Sequence, residues 1–261
     1  MDLDGAHNSA TLITHRATAT VVRDVSVEQP AAGRIRVRII MRDRRLWGYK
    51  VERAGAALRI TTRRPPPPAE SPVWPLRGLI IALEPGHGGP DNVGARGPTG
   101  SLEKDVNRWT VEELREELER AGARVVVVRP GDENPPLAER ARQVAESGAH
   151  IFISMHANAG GTENGYLRVG GASTYYKHPF CRELSEAIHR RILQTTGLAD
   201  FGNVGAFNYT PLRLVTWVPS MLVEQAFMSN PSDEAYLLDP AQRSRTVLAV
   251  RLGIEDFVAA R

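Results

Sequence analysis

The 261-residue chain contains a single cysteine, Cys181, and three lysines against thirty arginines. One cysteine excludes an internal disulfide framework and any CxxC metal site, and Cys181 is expected to pack as a small apolar residue in a helix. No apolar run reaches the roughly 18 residues of a transmembrane helix. The opening Met1-Asp-Leu-Asp-Gly5 also lacks the charged and apolar regions of a signal peptide. Net charge is low at +3 but unevenly spread: residues 1–70 hold 13 of the 33 Lys and Arg and 7 of the 30 Asp and Glu. A basic front suits an anionic partner such as a polymer, a membrane surface or nucleic acid. A solvated Arg-rich strand face is the more ordinary account of it. What the chain does have is 42% hydrophobic residues, enough for one large domain or one domain plus a small appendage.

The hydrophobic pattern changes along the chain. Residues 10–62 read as short strands: ATLITHRATATVV, then RIRVRIIM with Arg34, Arg36 and Arg38 alternating against Ile35, Val37 and Ile39, then LWGYKVERAGAALRITT. Period-two alternation implies a sheet with one wet face. RRPPPPAESPVWP follows, and its proline run forms an extended, stiff spacer. From Gly78 strands alternate with amphipathic helices. Strands are expected at 79–83, 124–128, 151–155 and 220–226. Helices are expected at 103–121, 180–194 and after Asp239-Pro240, with another capped by Asn134-Pro135 and running to Glu146. Leu137, Ala141 and Val144 of that last helix are expected to face inward. The expected architecture is α/β: a twisted, mostly parallel sheet flanked by helices on both faces, preceded by a small β-rich N-terminal region. The expected domains are 1–64, an accessory or partial β-domain, a Pro-rich linker at 65–77, and 78–261 as the chemistry-bearing domain.

Within that last part, IALEPGHGGP at 81–90 places His87 among glycines directly after a strand. His156 follows another strand, Glu103 opens a helix, and Glu224 sits in the apolar strand SMLVEQAF. In open α/β sheets the carboxyl ends of strands and the adjacent helix starts form the site crevice. Two histidines and a carboxylate with one position open are a known catalytic zinc set. His87, Glu103 and His156 supply it. A second carboxylate near the open position takes the proton from activated water; Glu224 is the candidate, since a charged residue in an apolar strand needs a partner.

Residues from about Gly78 onward resemble the zinc-dependent N-acetylmuramoyl-L-alanine amidases of bacterial cell walls. The resemblance rests on GHGG at 86–89, GARGPTGSLEKDVN at 94–107, PLAERARQVAESGAHIFISMHAN at 136–158, STYY at 173–176 and MLVEQAFMSNPSDEAYL at 221–237. It implies that His87, Glu103 and His156 carry Zn2+ and that Glu224 is the catalytic carboxylate. The implied substrate is peptidoglycan, cut between the lactyl group of N-acetylmuramic acid and the L-alanine of the stem peptide. Neither a nucleic-acid partner nor a membrane span is expected.

Two departures stand out: Glu84 where the family usually has Asp, and Gln225-Ala226 where it often has Thr-Gly. Glu84 is expected to lie behind the ligands and to orient His87 as an acceptor. Some relatives carry a blocking helix after His-Ala-Asn. Only residues 159–172 separate HAN from STYY here, too short for such a helix with its loop, so an open site needing no activator protein is expected. The substrate implies a periplasmic or extracellular place at the cell wall. With no signal peptide in this chain, a truncated start or a phage-type endolysin is expected. Two other functions compete: a non-catalytic wall-binding protein of the same fold, and a zinc peptidase cutting within the stem peptide.

Overall fold

The structure, a computed structural model, describes residues 1–8, 20–42, 45–160 and 167–260. The strand expected at residues 10–22 falls mostly outside them. Two compact units divide at Leu46/Trp47.

In the first unit, β1 (Asp2–Asp4), β2 (Val22–Ala31) and β3 (Arg34–Met41) form an antiparallel sheet in the order β1-β3-β2. Its register settles the basic stripe. Arg34 and Arg36 lie opposite Asp4 and Asp2, each pair 2.7 Å apart, and Arg38 reaches Glu28 at 3.1 Å. Opposite charges across neighbouring strands favour this register. The alternating arginines are therefore matched by acids and leave little unneutralised positive charge on this face.

The second unit opens with a hairpin, β4 (Gly48–Ala54) and β5 (Ala57–Arg63). This differs from the boundary expected at 65–77. Trp47, fully buried, stacks 5.0 Å from Phe257, and its indole N–H donates to the carbonyl of His150 at 2.8 Å. Tyr49 exchanges hydrogen bonds with Thr216, and Arg63 donates to the carbonyl of Ala149 at 2.7 Å. An alternating hairpin looks alike in sequence whether it belongs to the domain before it or after it; long-range contacts decide, and here they lead forward.

The main sheet has six strands, added here in chain order: β6 (Ile80–Pro85), β7 (Arg124–Val127), β8 (Ile151–Asn158), β9 (Ala172–Tyr175), β10 (Asp200–Val204) and β11 (Ser220–Phe227), arranged β10-β9-β11-β8-β6-β7. The four strands β11-β8-β6-β7 are mutually parallel, while β9 is antiparallel to β11 and parallel to β10. The helices are α1 (Glu103–Arg120), α2 (Leu137–Glu146), α3 (Arg182–Thr196), α4 (Thr210–Leu214), α5 (Pro231–Leu238) and α6 (Pro240–Ala259). Residues of α1, α3 and α6 share one core with Ile81, Leu83, Ile153 and Val223; residues of α2 and α4 share a second with Ala82, Phe152 and Leu222. Because strand side chains alternate, the two cores lie on opposite faces, as expected for a sheet covered on both sides.

Local chemistry explains most boundaries. Val106, Thr110, Leu114 and Leu118 form the buried stripe of α1 at helical spacing. Asp239 caps α6 through Ala241 N at 2.8 Å, with Pro240 in the first turn. Two expectations fail at α2. Pro136 stands at its N-cap without a side-chain cap, and Leu137 is 38% exposed while Ala141 and Val144 are buried. The amide oxygen of Asn134 is taken instead by Arg140 and Asn92. Cys181 is buried, as expected for a small apolar residue, and closes a 3-10 helical turn, Pro179–Cys181, that leads into α3, where it stands at the N-cap.

Candidate active site

At the end of β6 the chain turns through Gly86 and His87, and His87 holds φ +63°, unusual for a side-chain-bearing residue. The turn brings His87 to the carboxyl ends of β6 and β8. A Cβ on Gly86 would sit 2.3 Å from the imidazole of His156, and one on Gly94 2.4 Å from Oε2 of Glu103 and 2.8 Å from the His87 ring. These two glycines make room for the three side chains to meet.

Glu103 opens α1 and lies between the imidazoles: Oε2 is 3.1 Å from His87 Nε2 and Oε1 is 3.0 Å from His156 Nδ1. One potential ligand atom from each of the three residues falls within 4.8 Å of the others. Backbone and side-chain donors complete the carboxylate shell: Ala95 N at 2.9 Å, Ala157 N at 3.1 Å and Asn107 Nδ2 at 3.2 Å. Burial alone would raise the Glu103 pKa, but hydrogen bonds and charge from His156 and His87 outweigh it and hold the carboxyl well below its ordinary value. Burial likewise opposes protonation of His87, yet the hydrogen bond and charge of Glu103 win and raise it.

Glu224 lies opposite His156 in the β11–β8 ladder and opposite Ser173 in the β11–β9 ladder. Its carboxyl is pushed well above the ordinary value by burial, with the like charge of Glu103 adding to the shift. Two buried atoms here have no hydrogen-bond partner among the described residues, Oε2 of Glu224 and Nε2 of His156. Buried polar atoms are normally satisfied, so this pair points to a bound group. Two imidazoles, one with an orphaned ring nitrogen, and an ionised carboxylate form a donor set suited to a borderline divalent metal.

The four residues singled out from sequence thus gather at one sheet edge. Glu84 takes a different place from the one expected. The acceptor for His87 Nδ1 is Asn92 at 2.8 Å, whereas Glu84 Oε1 accepts from Arg140 and Tyr209. Asn107 was legible in principle, since it stands four residues after Glu103 on the same helix face. Asn92 and Tyr209 lie in loops without a periodic signal. Gln225, a departure from the family pattern, donates to Asn107 Oδ1 and His156 O, both at 3.2 Å, and accepts from Thr110 at 2.8 Å. It braces the ligands from behind. Other described histidines serve the fold: His150 accepts from Ile80 N, His178 bonds the carbonyl of Arg213, and His189 pairs with Asp200.

Residues 81–256 match the family model described as N-acetylmuramoyl-L-alanine amidase. The chain belongs to this family. Among curated members of the amidase family, the probable cell wall amidase LytH of Staphylococcus aureus is 34% identical over 188 residues, 71% of this chain and 60% of the relative. The N-acetylmuramoyl-L-alanine amidase LytC of Bacillus subtilis is 32% identical over 187 residues, 70% of this chain and 36% of the relative. The chain therefore spans less than two thirds of the length of either. The solved N-acetylmuramoyl-L-alanine amidase AmiC2 of Nostoc punctiforme shares 29% identity at a TM-score of 0.64, covering 69% of this chain and 97% of that one.

Proposed function

We propose that this chain hydrolyses the amide between the lactyl group of N-acetylmuramic acid and the L-alanine of the peptidoglycan stem peptide, with Zn2+ held by His87, Glu103 and His156. The observation that carries the reading is an ionised carboxylate clasped by two imidazoles beside a buried second carboxylate with an unpartnered oxygen. When bound, zinc supplies Lewis-acid polarisation of a carbonyl and lowers the pKa of water to about 7.

The protein's own groups do the rest. Glu103 stays anionic because its hydrogen bonds outweigh its burial. Glu224, whose carboxyl burial holds well above its ordinary value, takes a proton from the attacking water and returns it to the leaving amine nitrogen. Glycan strands then keep the lactyl carboxylate, and the stem peptide leaves with a free α-amino group on L-alanine.

The site works without an activator protein, a reading supported by the short segment 159–172. The chain acts at the cell wall, outside the membrane. No described helix is long and apolar enough to cross a bilayer. Metal analysis of the parent and of Glu224→Ala, alongside peptidoglycan hydrolysis, tests the assignment. One zinc in each, with activity only in the parent, supports it; activity surviving in Glu224→Ala removes Glu224 from the mechanism.

A further inference from the structure

Behind the site, Glu84 and Arg140 form an ion pair of 2.9 Å with both side chains fully buried. A buried ion pair is weak evidence for added stability, because desolvation offsets its attraction. Its location is more informative. Arg140 Nη2 donates to the carbonyl of His87 at 3.0 Å and to Asn134 Oδ1 at 3.0 Å; Nε donates to the carbonyl of Pro135 at 3.1 Å. The guanidinium thereby ties the turn that carries His87 to the start of α2. His87 sits at φ +63°, a conformation that persists only where its surroundings hold it, and Arg140 grips its carbonyl.

The other histidine is reached from the same oxygen. Tyr209, just before α4, donates its hydroxyl to Glu84 Oε1 at 3.0 Å, and its ring meets the imidazole of His156 edge-on at 5.6 Å between centroids, 83° between planes. One carboxylate oxygen thus anchors the group that fixes the His87 backbone and the ring that abuts His156. A carboxylate one methylene shorter would have to recede from at least one of them unless the chain shifts.

We propose that Glu84, Arg140 and Tyr209 form a single positioning unit that sets the two imidazoles for metal binding. The proposal rests on reading His87 and His156 as ligands. The unit touches neither substrate nor metal and acts through the two histidines.

The test compares zinc affinity of the full-length parent, Tyr209→Phe, and the double variant Glu84→Met with Arg140→Met, by competition with a chromophoric chelator. Thermal unfolding of each metal-free protein is recorded beside it. Removing both charges together avoids an unpaired buried ion, so the double variant is expected to remain folded. Its zinc affinity is expected to fall about 10- to 100-fold, with a smaller fall in Tyr209→Phe and, in both, a reduced kcat at unchanged KM. Parent-like zinc affinity in a folded variant, even with altered thermal stability, overturns the proposal. Should the double variant not fold, Tyr209→Phe decides alone on the same criterion. A parent that binds zinc but leaves peptidoglycan uncut removes the amidase reading without touching this one.

Discussion

Gly86 and Gly94 occupy positions where a methyl group would stand within 2.4 Å of His156 or Glu103. Gly86→Ala and Gly94→Ala are therefore expected to displace the ligands by a sizeable fraction of an ångström and lower kcat/KM by about 100-fold. Metal content falls with it; a variant with parental kinetics and zinc would show that the crowding relaxes harmlessly. Cys181 gives a second outcome at this scale. Burial pushes its thiol up to about 11, so the folded protein should resist iodoacetamide at pH 8, and mass spectrometry with and without denaturant reads the difference. His87, Glu103 and His156 were visible in the sequence as chemically costly residues just past a strand, at a helix start and near a strand end, and Glu224 as a charge within an apolar strand. Asn92 and Tyr209 were not, since a polar loop residue looks the same whether it orients a ligand or faces water.

Glu234 of α5 binds Thr99 N at 3.1 Å, Thr99 Oγ1 at 2.6 Å and Ser101 Oγ at 2.5 Å, so this helix secures the turn that launches α1 and its Glu103. Burial pushes the Glu234 carboxyl up, but the bonds from Ser101 and Thr99 prevail and its pKa lies below the ordinary value. A carboxyl depressed in the folded state stabilises fully above its unfolded pKa and loses that contribution as pH falls through the folded value. Glu234→Gln is accordingly expected to cost about 1–3 kcal/mol at pH 7, and the gap to the parent should close in acid. Urea denaturation at pH 7 and pH 3 measures both; an equal gap at the two values would contradict the charge-assisted role. The strands β6, β7, β8 and β11 were legible from apolar runs, and α1, α2, α3 and α6 from helical stripes and caps, whereas β9 and β10 were not expected as strands. Nor was their reversed direction legible, because a strand's hydrophobic pattern reads the same in either direction.

At the scale of the molecule, the unit that carries the site begins at Trp47. The hairpin β4–β5 meets the sheet at Ala149, His150, Thr216 and Trp217, near the amino ends of β8 and β11. The ligands lie at the other end of those strands. The hairpin thus completes the core without approaching the chemistry. Trp47→Ala is expected to cost about 3–5 kcal/mol with the kinetic constants of the surviving folded fraction unchanged. Removal of residues 1–46 should preserve hydrolysis, whereas removal of residues 1–76 should sharply lower the unfolding temperature. Calorimetry of the two truncations separates these outcomes.

Family membership and the gathering of His87, Glu103, His156 and Glu224 define the bond to be examined. The most direct measurement digests purified peptidoglycan with the zinc-loaded chain and identifies the new termini by mass spectrometry and amino-group labelling. The account predicts stem peptides with a free L-alanine amino group and glycan bearing an unsubstituted lactyl carboxylate. Stem peptides cut internally, with L-alanine still joined to the lactyl group, would contradict it.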